Sequence, residues 1–126
     1  MSINLEVLLS VIACSAATLC LFASIVDLIE KQRAEREFQK VLCNETAARH
    51  LRELRSRFME DGVVSEAELH SLIASLEKLT HELSKKHKLL IERGLHQRSI
   101  LGRARYVAKV MNKAGIGAGP LPIPMA

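Results

Sequence analysis

The chain contains no tryptophan, one tyrosine and three phenylalanines among its 126 residues. Aromatic side chains bury the largest apolar areas, so we expect a small hydrophobic core rather than a large independent one. The three cysteines, Cys14, Cys20 and Cys43, form an odd set with neither metal-site nor redox spacing. This set excludes a disulfide framework, and we interpret all three as small apolar residues.

Charge is missing from one long stretch near the N-terminus, between Glu6 and Asp27. The stretch comprises residues 7–26, VLLSVIACSAATLCLFASIV. As a helix it would extend about 30 Å, the thickness of the hydrocarbon core of a bilayer. Its backbone must be helical there, and its short polar side chains can hydrogen-bond to their own helix. We predict a transmembrane helix over residues 7–26, preceded by a short external N-terminus, residues 1–6.

Two other kinds of segment also appear as an apolar run near the N-terminus: a secretory signal peptide and a buried helix of a soluble protein. A signal peptide begins with positive charge, whereas residues 1–6 contain Glu6 and neither lysine nor arginine. A buried helix needs apolar partners, and the charged remainder of the chain has no second apolar run long enough to surround it. Both structures are kept as alternatives to the membrane span.

The flanks of the apolar run predict its orientation. Four basic residues follow it within about 15 residues, whereas the N-terminal side offers only the α-amino group. They are Lys31, Arg33, Arg36 and Lys40. Because lysine and arginine are enriched on the cytoplasmic side, we predict an external N-terminus and a cytoplasmic C-terminal domain. The opposite orientation is the alternative, since acidic residues dilute the local charge.

Small residues recur at helical spacing along one face of the predicted span. They are Ser10, Ala13, Cys14, Ala17, Cys20 and Ser24. Small side chains allow a second helix to approach closely, and such packing holds helices together in lipid. We interpret this face as a contact for another membrane helix, from a partner protein or from a second copy in a homo-oligomer. The alternative is the general abundance of small residues in membrane spans.

The sequence after the span is typical of long helices. Residues 27–61 contain neither glycine nor proline, and an apolar stripe opposes a charged face. This pattern predicts one charged amphipathic helix that continues the span without a break. Gly62 can end that helix, and Ser65 with Glu68 forms a capping box that begins the next. We therefore predict a turn over residues 62–65 and a second helix over residues 66–113. Gly94 and Gly102 weaken this second helix, so residues 95–113 either form a separate segment or continue it with a bend.

Leucines in the second predicted helix alternate at spacings of three and four. They are Leu69, Leu72, Leu76, Leu79, Leu83 and Leu90. This spacing is typical of a coiled-coil seam, although about two to three heptads are marginal without further packing. The seam can pack back on the first helix as an antiparallel hairpin, or it can pair between chains, and the sequence leaves both open.

Positive charge is concentrated in the later part of the second helix, from residue 85 onward. Nine basic residues face a single glutamate there, a net charge of +8, whereas residues 27–84 have a net charge of −3. The nine are Lys85, Lys86, Lys88, Arg93, Arg98, Arg103, Arg105, Lys109 and Lys113. A basic amphipathic helix binds anionic membrane lipid, an acidic partner protein or nucleic acid. The predicted membrane anchor favours lipid or protein over nucleic acid.

The chain ends in an uncharged segment, residues 114–126, in which glycines precede three prolines that alternate with apolar residues. Such a sequence favours an extended conformation near polyproline II. The segment is either a loose tail or an apolar peptide that lies in the groove of a partner.

The sequence contains no recognisable catalytic, metal or cofactor motif. The histidine at His81 begins a stretch similar to the zinc-protease motif, but Lys85 occupies the place of its second histidine. The turn at Gly62 resembles the second half of a calcium loop, but Arg57 and Met59 stand where the first oxygen ligands would be. We therefore expect no enzyme activity, no metal and no cofactor.

Together these patterns predict an all-α protein. A single transmembrane helix continues into a long helix, which an antiparallel hairpin or coiled coil follows, with a basic C-terminal helix and an extended Gly/Pro tail. The expected function is that of a non-enzymatic, membrane-anchored subunit or adaptor of a larger assembly. The alternatives are a phage-type lysis or envelope-spanning protein of opposite orientation, a membrane-tethered nucleic-acid binder, and a small pore-forming effector.

Overall fold

The computed structural model describes residues 4–124, and this part of the chain is helical without strands. The predicted all-α class is therefore confirmed. Residues 1–3 of the predicted N-terminal segment and residues 125–126 of the predicted tail lie outside the described residues. The five helices are α1, Leu5–Leu42; α2, Glu45–Met59; α3, Glu66–Thr80; α4, Lys85–Leu95; and α5, Ile100–Lys113.

Helix α1 contains both the apolar run and the first part of the charged sequence. It begins where the side chain of Asn4 accepts a hydrogen bond from the backbone N–H of Glu6, at 3.3 Å. Every side chain over residues 5–29 is exposed, and the first buried residue is Ala34. The helix is therefore divided into a projecting apolar segment and a C-terminal part that belongs to the folded domain. The prediction that the apolar run continues into a longer helix is confirmed, and its crossing of a membrane stays a prediction.

The predicted unbroken helix over residues 27–61 is wrong, because α1 ends at Leu42 and α2 begins at Glu45. Asn44 causes the break: its side chain accepts a hydrogen bond from the backbone N–H of Thr46, at 3.1 Å. Asparagine is a strong N-cap residue, since its side chain satisfies backbone donors that the first turn of a helix leaves unpaired. The chain therefore turns and packs α2 against α1 and α3.

The turn predicted after residue 61 is confirmed. Gly62 has a φ of 77°, in the left-handed region that favours glycine. The side chain of Ser65 accepts from the backbone N–H of Glu68 at 3.2 Å, and the carboxylate of Glu68 accepts from the backbone N–H of Ser65 at 3.1 Å. This reciprocal pair is the capping box that the sequence predicted, and it begins α3.

The single helix predicted over residues 66–113 is wrong, because the structure divides it into α3, α4 and α5. Ser84 and Ser99 occupy the N-cap positions of α4 and α5, and the hydroxyl of Ser99 accepts from the backbone N–H of Gly102 at 3.1 Å. Leu83, between α3 and α4, is buried. Because burial of an apolar side chain is favourable, the chain bends at Leu83 instead of continuing as a straight helix. The bend brings α4 back against the core.

One hydrophobic core unites α2–α5 with the C-terminal part of α1, and α1 makes its most extensive contact with α4. Its largest fully buried apolar side chains are Phe38, Leu42, Leu51, Leu69, Leu72, Leu76, Ile91, Leu95 and Met111. Helices α4 and α5 approach closely where the ring of Tyr106 lies over Gly94. A Cβ atom at Gly94 would stand 2.3 Å from the ring Cζ, so no larger residue fits there without movement of the ring.

The C-terminal segment lies on the domain of its own chain as far as the structure describes it. Ile116 and Leu121 are buried in the core. The backbone N–H of Val64 donates to the carbonyl of Pro122 at 2.6 Å, and Arg55 donates to the carbonyl of Ala118 at 2.8 Å. Ile116 and Leu121 therefore contact the core of their own chain.

Candidate functional site: the projecting helix and its base

The projecting segment of α1, residues 5–29, is the most unusual surface of the molecule. Its large apolar side chains are 42–68% exposed, including Leu19 at 68% and Phe22 at 66%. A soluble surface rarely presents so long a contiguous apolar region. Within the described residues, α1 is the one helix long and apolar enough to cross a membrane, with a mean hydropathy of 2.3 over its most apolar window. None of that window is buried, so the described part of the chain leaves this segment of α1 uncovered.

The projecting segment contains one polar side chain that is hydrogen-bonded to its own helix, and it carries the predicted small-residue face. The hydroxyl of Thr18 donates to the carbonyl of Cys14 at 2.8 Å, so this polar group is satisfied within the helix, as predicted. The six predicted contact residues all lie in this exposed segment. At about 100° per residue they occupy about a third of the helix circumference. They are Ser10, Ala13, Cys14, Ala17, Cys20 and Ser24.

The predicted leucine seam lies within the domain. Leu69, Leu72 and Leu76 of α3 are almost fully buried, and Leu83 is buried in the connection to α4. Leu79 and Leu90 are half-buried and pack against the same core. These side chains contribute to the core of the domain, and the antiparallel hairpin and the pairing between chains both stay predictions.

Several of the predicted basic residues have acidic partners within the domain. Lys109 and Lys113 lie 3.4 and 3.5 Å from the buried carboxylate of Glu35. Lys88 lies 3.9 Å from Glu92, and its ammonium is 3.1 Å from the ring of His81. These cations stabilise the packing of the helices.

Two other predicted cations have partners as well. Lys86 lies 3.6 Å from Glu30, and Arg103 donates to the carbonyl of Gln97 at 3.3 Å. The remaining four predicted residues are exposed and have no ion pair in the described part of the chain. They are Lys85, Arg93, Arg98 and Arg105.

An open groove of about 540 Å³ lies at the base of the projecting segment, between α1 and α4. Helix α1 contributes Val26, Asp27, Glu30 and Lys31, and helix α4 contributes Lys86, Leu89, Leu90, Arg93 and Gly94. The groove therefore combines leucine side chains with three cations at the point where the apolar segment enters the domain. We call it the base groove.

A charged cluster that the sequence did not predict lies beside the base groove. The ring of His87 is 19% exposed; its Nδ1 donates to the carboxylate of Glu37, and its Nε2 lies 3.7 Å from Glu30. The backbone N–H of Ser84 also donates to Glu37, at 3.4 Å. The hydrogen bond from His87 holds the pKa of Glu37 below its usual value of 4.5. The cluster ties the start of α4 to α1.

Substitution of Glu37 by glutamine should change the acid sensitivity of the domain. Because its folded-state pKa lies below 4.5, Glu37 stabilises the fold above that pH and loses this contribution as pH falls through the folded-state pKa. We expect the unfolding free energy of Glu37→Gln to be lower than wild type at pH 6 and to converge with it in acid. Urea titrations from pH 6 to pH 2 measure this, with the exposed Glu53→Gln as the control. Parallel pH profiles of Glu37→Gln and wild type would contradict the prediction.

Within residues 4–124, no group of three histidine, cysteine or acidic side chains lies close enough together to hold a metal ion. Glu66 and His70 form an exposed pair at 3.8 Å. Glu77 contacts His96, in the connection between α4 and α5. Its partner is therefore not His81, which lies four residues further along the chain. These pairs contribute to the surface of the domain, and the expected lack of a metal stays a prediction.

Comparison of the chain with protein-family models, with curated proteins and with solved structures finds no match.

Proposed function

We propose that this protein is a non-enzymatic, single-pass membrane protein whose helical domain acts as a subunit or adaptor of a membrane-associated assembly. The observation that supports this most is the projecting segment of α1, which is apolar, long enough to span a bilayer and uncovered by the rest of the described chain. Because the same helix continues into the core as far as Leu42, the anchor and the domain are joined without a flexible linker.

The continuity of α1 also favours a retained anchor over a cleaved signal peptide. The helix runs without a break from residue 5 to residue 42, so no extended segment follows the apolar run. Cleavage near residue 26 would leave Asp27 at the start of a helix whose later residues, including Phe38 and Leu42, belong to the core. A signal peptide instead precedes a cleavage site rich in small residues.

In this proposal the small-residue face of the span docks on another membrane helix, from a partner or from a second copy. The face lets two backbones approach closely, and van der Waals packing then holds the helices together in lipid. The domain lies in the cytoplasm, since Lys31, Arg33 and Arg36 follow the span directly. The Gly/Pro tail is not assigned to a partner, because Ile116 and Leu121 are buried in this chain.

Labelling of single cysteines on intact cells tests both the anchor and its orientation. Cys43 is exposed and lies at the end of α1 in the domain, so a Cys14→Ala, Cys20→Ala variant retains it as the domain reporter. A second variant that also has Cys43→Ser and Ser2→Cys reports on the N-terminal side. With a membrane-impermeant maleimide we expect labelling at Ser2→Cys only, and labelling of both variants after permeabilisation.

The other outcomes of this experiment contradict the proposal in different ways. Labelling of Cys43 alone would reverse the orientation and replace the cytoplasmic adaptor with the envelope-spanning or lysis alternative. A mature protein that lacks its apolar segment, seen as an intact mass below 14.0 kDa, would show a cleaved signal peptide. Recovery of the intact chain in the soluble fraction would exclude the membrane anchor altogether.

A further inference from the structure

Helix α4 runs antiparallel to the C-terminal part of α1, toward the projecting segment. Its N-cap residue Ser84 contacts Glu37, and Lys86, two residues later, contacts Glu30. Further along α4, Leu89 and Arg93 line the base groove together with Val26. The C-terminal end of α4 therefore lies at the side of the domain from which the projecting segment emerges.

The connection from α4 to α5 is short, so the first turn of α5 lies at the same side. Only residues 96–99 separate the two helices. At about 3.5 Å per extended residue, this connection cannot carry the start of α5 far from the end of α4. If the projecting segment spans a bilayer, residues 89–101, which we call the α4–α5 corner, therefore face the surface of the leaflet around its base.

Two arginines of the α4–α5 corner have no acidic partner within residues 4–124, although Glu77 of α3 contacts the corner at His96. Arg93 and Arg98 are exposed, and neither forms an ion pair in the described part of the chain. The one acidic residue of the corner, Glu92, is already engaged by Lys88 at 3.9 Å. Helix α5 has no acidic residue in its first turn, so the positive end of its dipole adds to the field of the arginines.

Exposed leucines lie beside these arginines. Leu89 is 54% exposed and Leu101 is 53% exposed, although most leucines of the domain are buried. Leucine next to arginine on one surface is typical of segments that lie at a membrane interface, where the apolar side chain enters the acyl boundary and the cation meets the headgroups. The corner therefore has both parts of an interfacial lipid site.

The acidic residues of the base groove do not cancel this charge. Glu30 lies 3.6 Å from Arg33 and 3.6 Å from Lys86, so two cations already neutralise it. Asp27 is the remaining acidic residue, and it is opposed by Lys31 and Arg93 in the same groove. An anionic group that enters the groove thus meets a net positive surface.

We infer that the α4–α5 corner and the base groove bind the headgroups of anionic phospholipids in the leaflet next to the domain. This inference depends on the proposed membrane anchor, which brings the corner to the bilayer surface. The position of the cations beside the span favours lipid over nucleic acid. Arg93 and Arg98 contact phosphate oxygens, while Leu89 and Leu101 pack against the upper acyl chains.

A single introduced tryptophan can report this contact, because the chain has no tryptophan of its own. Full-length Leu101→Trp is reconstituted in phosphatidylcholine vesicles, with or without about one third phosphatidylglycerol, and brominated lipid serves as quencher. The composition is equal in both leaflets, so either orientation of insertion gives the same contact. We expect blue-shifted, strongly quenched emission with the anionic lipid and weak quenching without it. Leu89→Trp is the second reporter.

Charge reversal identifies the residues responsible. Arg93→Glu with Arg98→Glu, in the Leu101→Trp background, should remove the quenching, since each basic residue contributes about fivefold to association with an anionic surface. The matched control is Arg52→Glu with Arg57→Glu, two exposed arginines of α2 at the same spacing of five residues. We expect the control to retain the quenching of the parent. Equal quenching in both charge variants would overturn the inference.

The proposed anchor and the lipid site can fail separately. Phe22→Trp places the reporter in the projecting segment, so its quenching by brominated lipid measures insertion alone. If Phe22→Trp is not quenched in either vesicle, the proposed anchor fails and the inference fails with it. The lipid site alone is overturned if Phe22→Trp is quenched but Leu101→Trp and Leu89→Trp are not quenched. It is also overturned if these two reporters are quenched equally in neutral and anionic vesicles.

Discussion

Replacement of Ala16 and Ala23 by arginine should transfer the protein out of the membrane fraction. Both residues lie in the exposed apolar segment of α1. An arginine at the centre of a span costs about 2.5–3.5 kcal/mol on the insertion scale, and somewhat less near the interface, where its side chain can reach water. The two substitutions together should disfavour insertion by about 4–6 kcal/mol, a factor of a thousand or more.

The helical domain should remain folded in this variant, because no side chain over residues 5–29 is buried. Fractionation of cells measures the transfer, and far-ultraviolet circular dichroism of the purified variant measures the fold. The matched control has arginine at Ala67 and Ala74, two exposed alanines of α3 with the same spacing of seven residues. We expect the control to stay in the membrane fraction. Retention of the Ala16→Arg, Ala23→Arg variant in the membrane would contradict an anchor formed by this segment.

Features encoded by neighbouring residues could be predicted from the sequence. The apolar run is a property of composition over about 20 consecutive residues, which is the length that a bilayer requires. The turn at Gly62 and the capping box of Ser65 and Glu68 are formed by residues within one helical turn of one another. Such signals need no knowledge of the tertiary structure, and the structure contains each of them.

One helix break, at Ser99, lies between Gly94 and Gly102, which indicate a bend or a separate segment there. The helix breaks at Asn44 and Ser84 were missed because no glycine or proline marks them. Each is instead an N-cap residue, and asparagine and serine also occur within helices, so their type alone does not fix a boundary. The leucine pattern was a second cause. Its spacing continues through Leu83, although that residue connects two helices and turns into the core. The tertiary packing, rather than the local pattern, determines where α3 ends.

The charged cluster and the division of the basic residues depend on contacts that are distant in sequence. Glu37 and His87 are separated by 50 residues, and Glu35 and Lys109 by 74. The net charge calculated for the second predicted helix treated Lys109 and Lys113 as unpaired cations. In the structure, both lie close to the buried carboxylate of Glu35 in α1. Glu35 lies on the same helix face as buried residues. In the sequence, that position was the only indication that Glu35 contacts another helix.

Substitution of Phe38 by alanine should strongly destabilise the domain. Its side chain is fully buried in the C-terminal part of α1, at 0% exposure. Truncation of a buried phenylalanine to alanine removes apolar contacts and leaves a cavity, at a cost of about 3–5 kcal/mol. Since small domains are stable by about 5–15 kcal/mol, this loss is a large fraction of the total.

Phe22 supplies the control on the same helix, because its side chain is 66% exposed in the projecting segment. Urea unfolding of the full chain in detergent micelles, followed by the fluorescence of the buried Tyr106, reports on the domain alone, since Tyr106 is the only tyrosine and the chain has no tryptophan. We expect Phe22→Ala to leave the unfolding midpoint of wild type unchanged. A cost below about 1 kcal/mol for Phe38→Ala, far less than a buried phenylalanine should give, would show that α1 is not part of the core.

The contrast between the two phenylalanines tests how the anchor is joined to the domain. If Phe38→Ala unfolds the domain while the span stays inserted, two parts of one helix have different surroundings. Lipid surrounds residues 7–26, and the domain core surrounds Ala34, Phe38 and Leu42. A position for the α4–α5 corner at the membrane surface then depends on the core, because Phe38 and its neighbours hold α4 against α1. In the same variant, the quenching of Leu101→Trp by anionic brominated lipid should fall while that of Phe22→Trp persists.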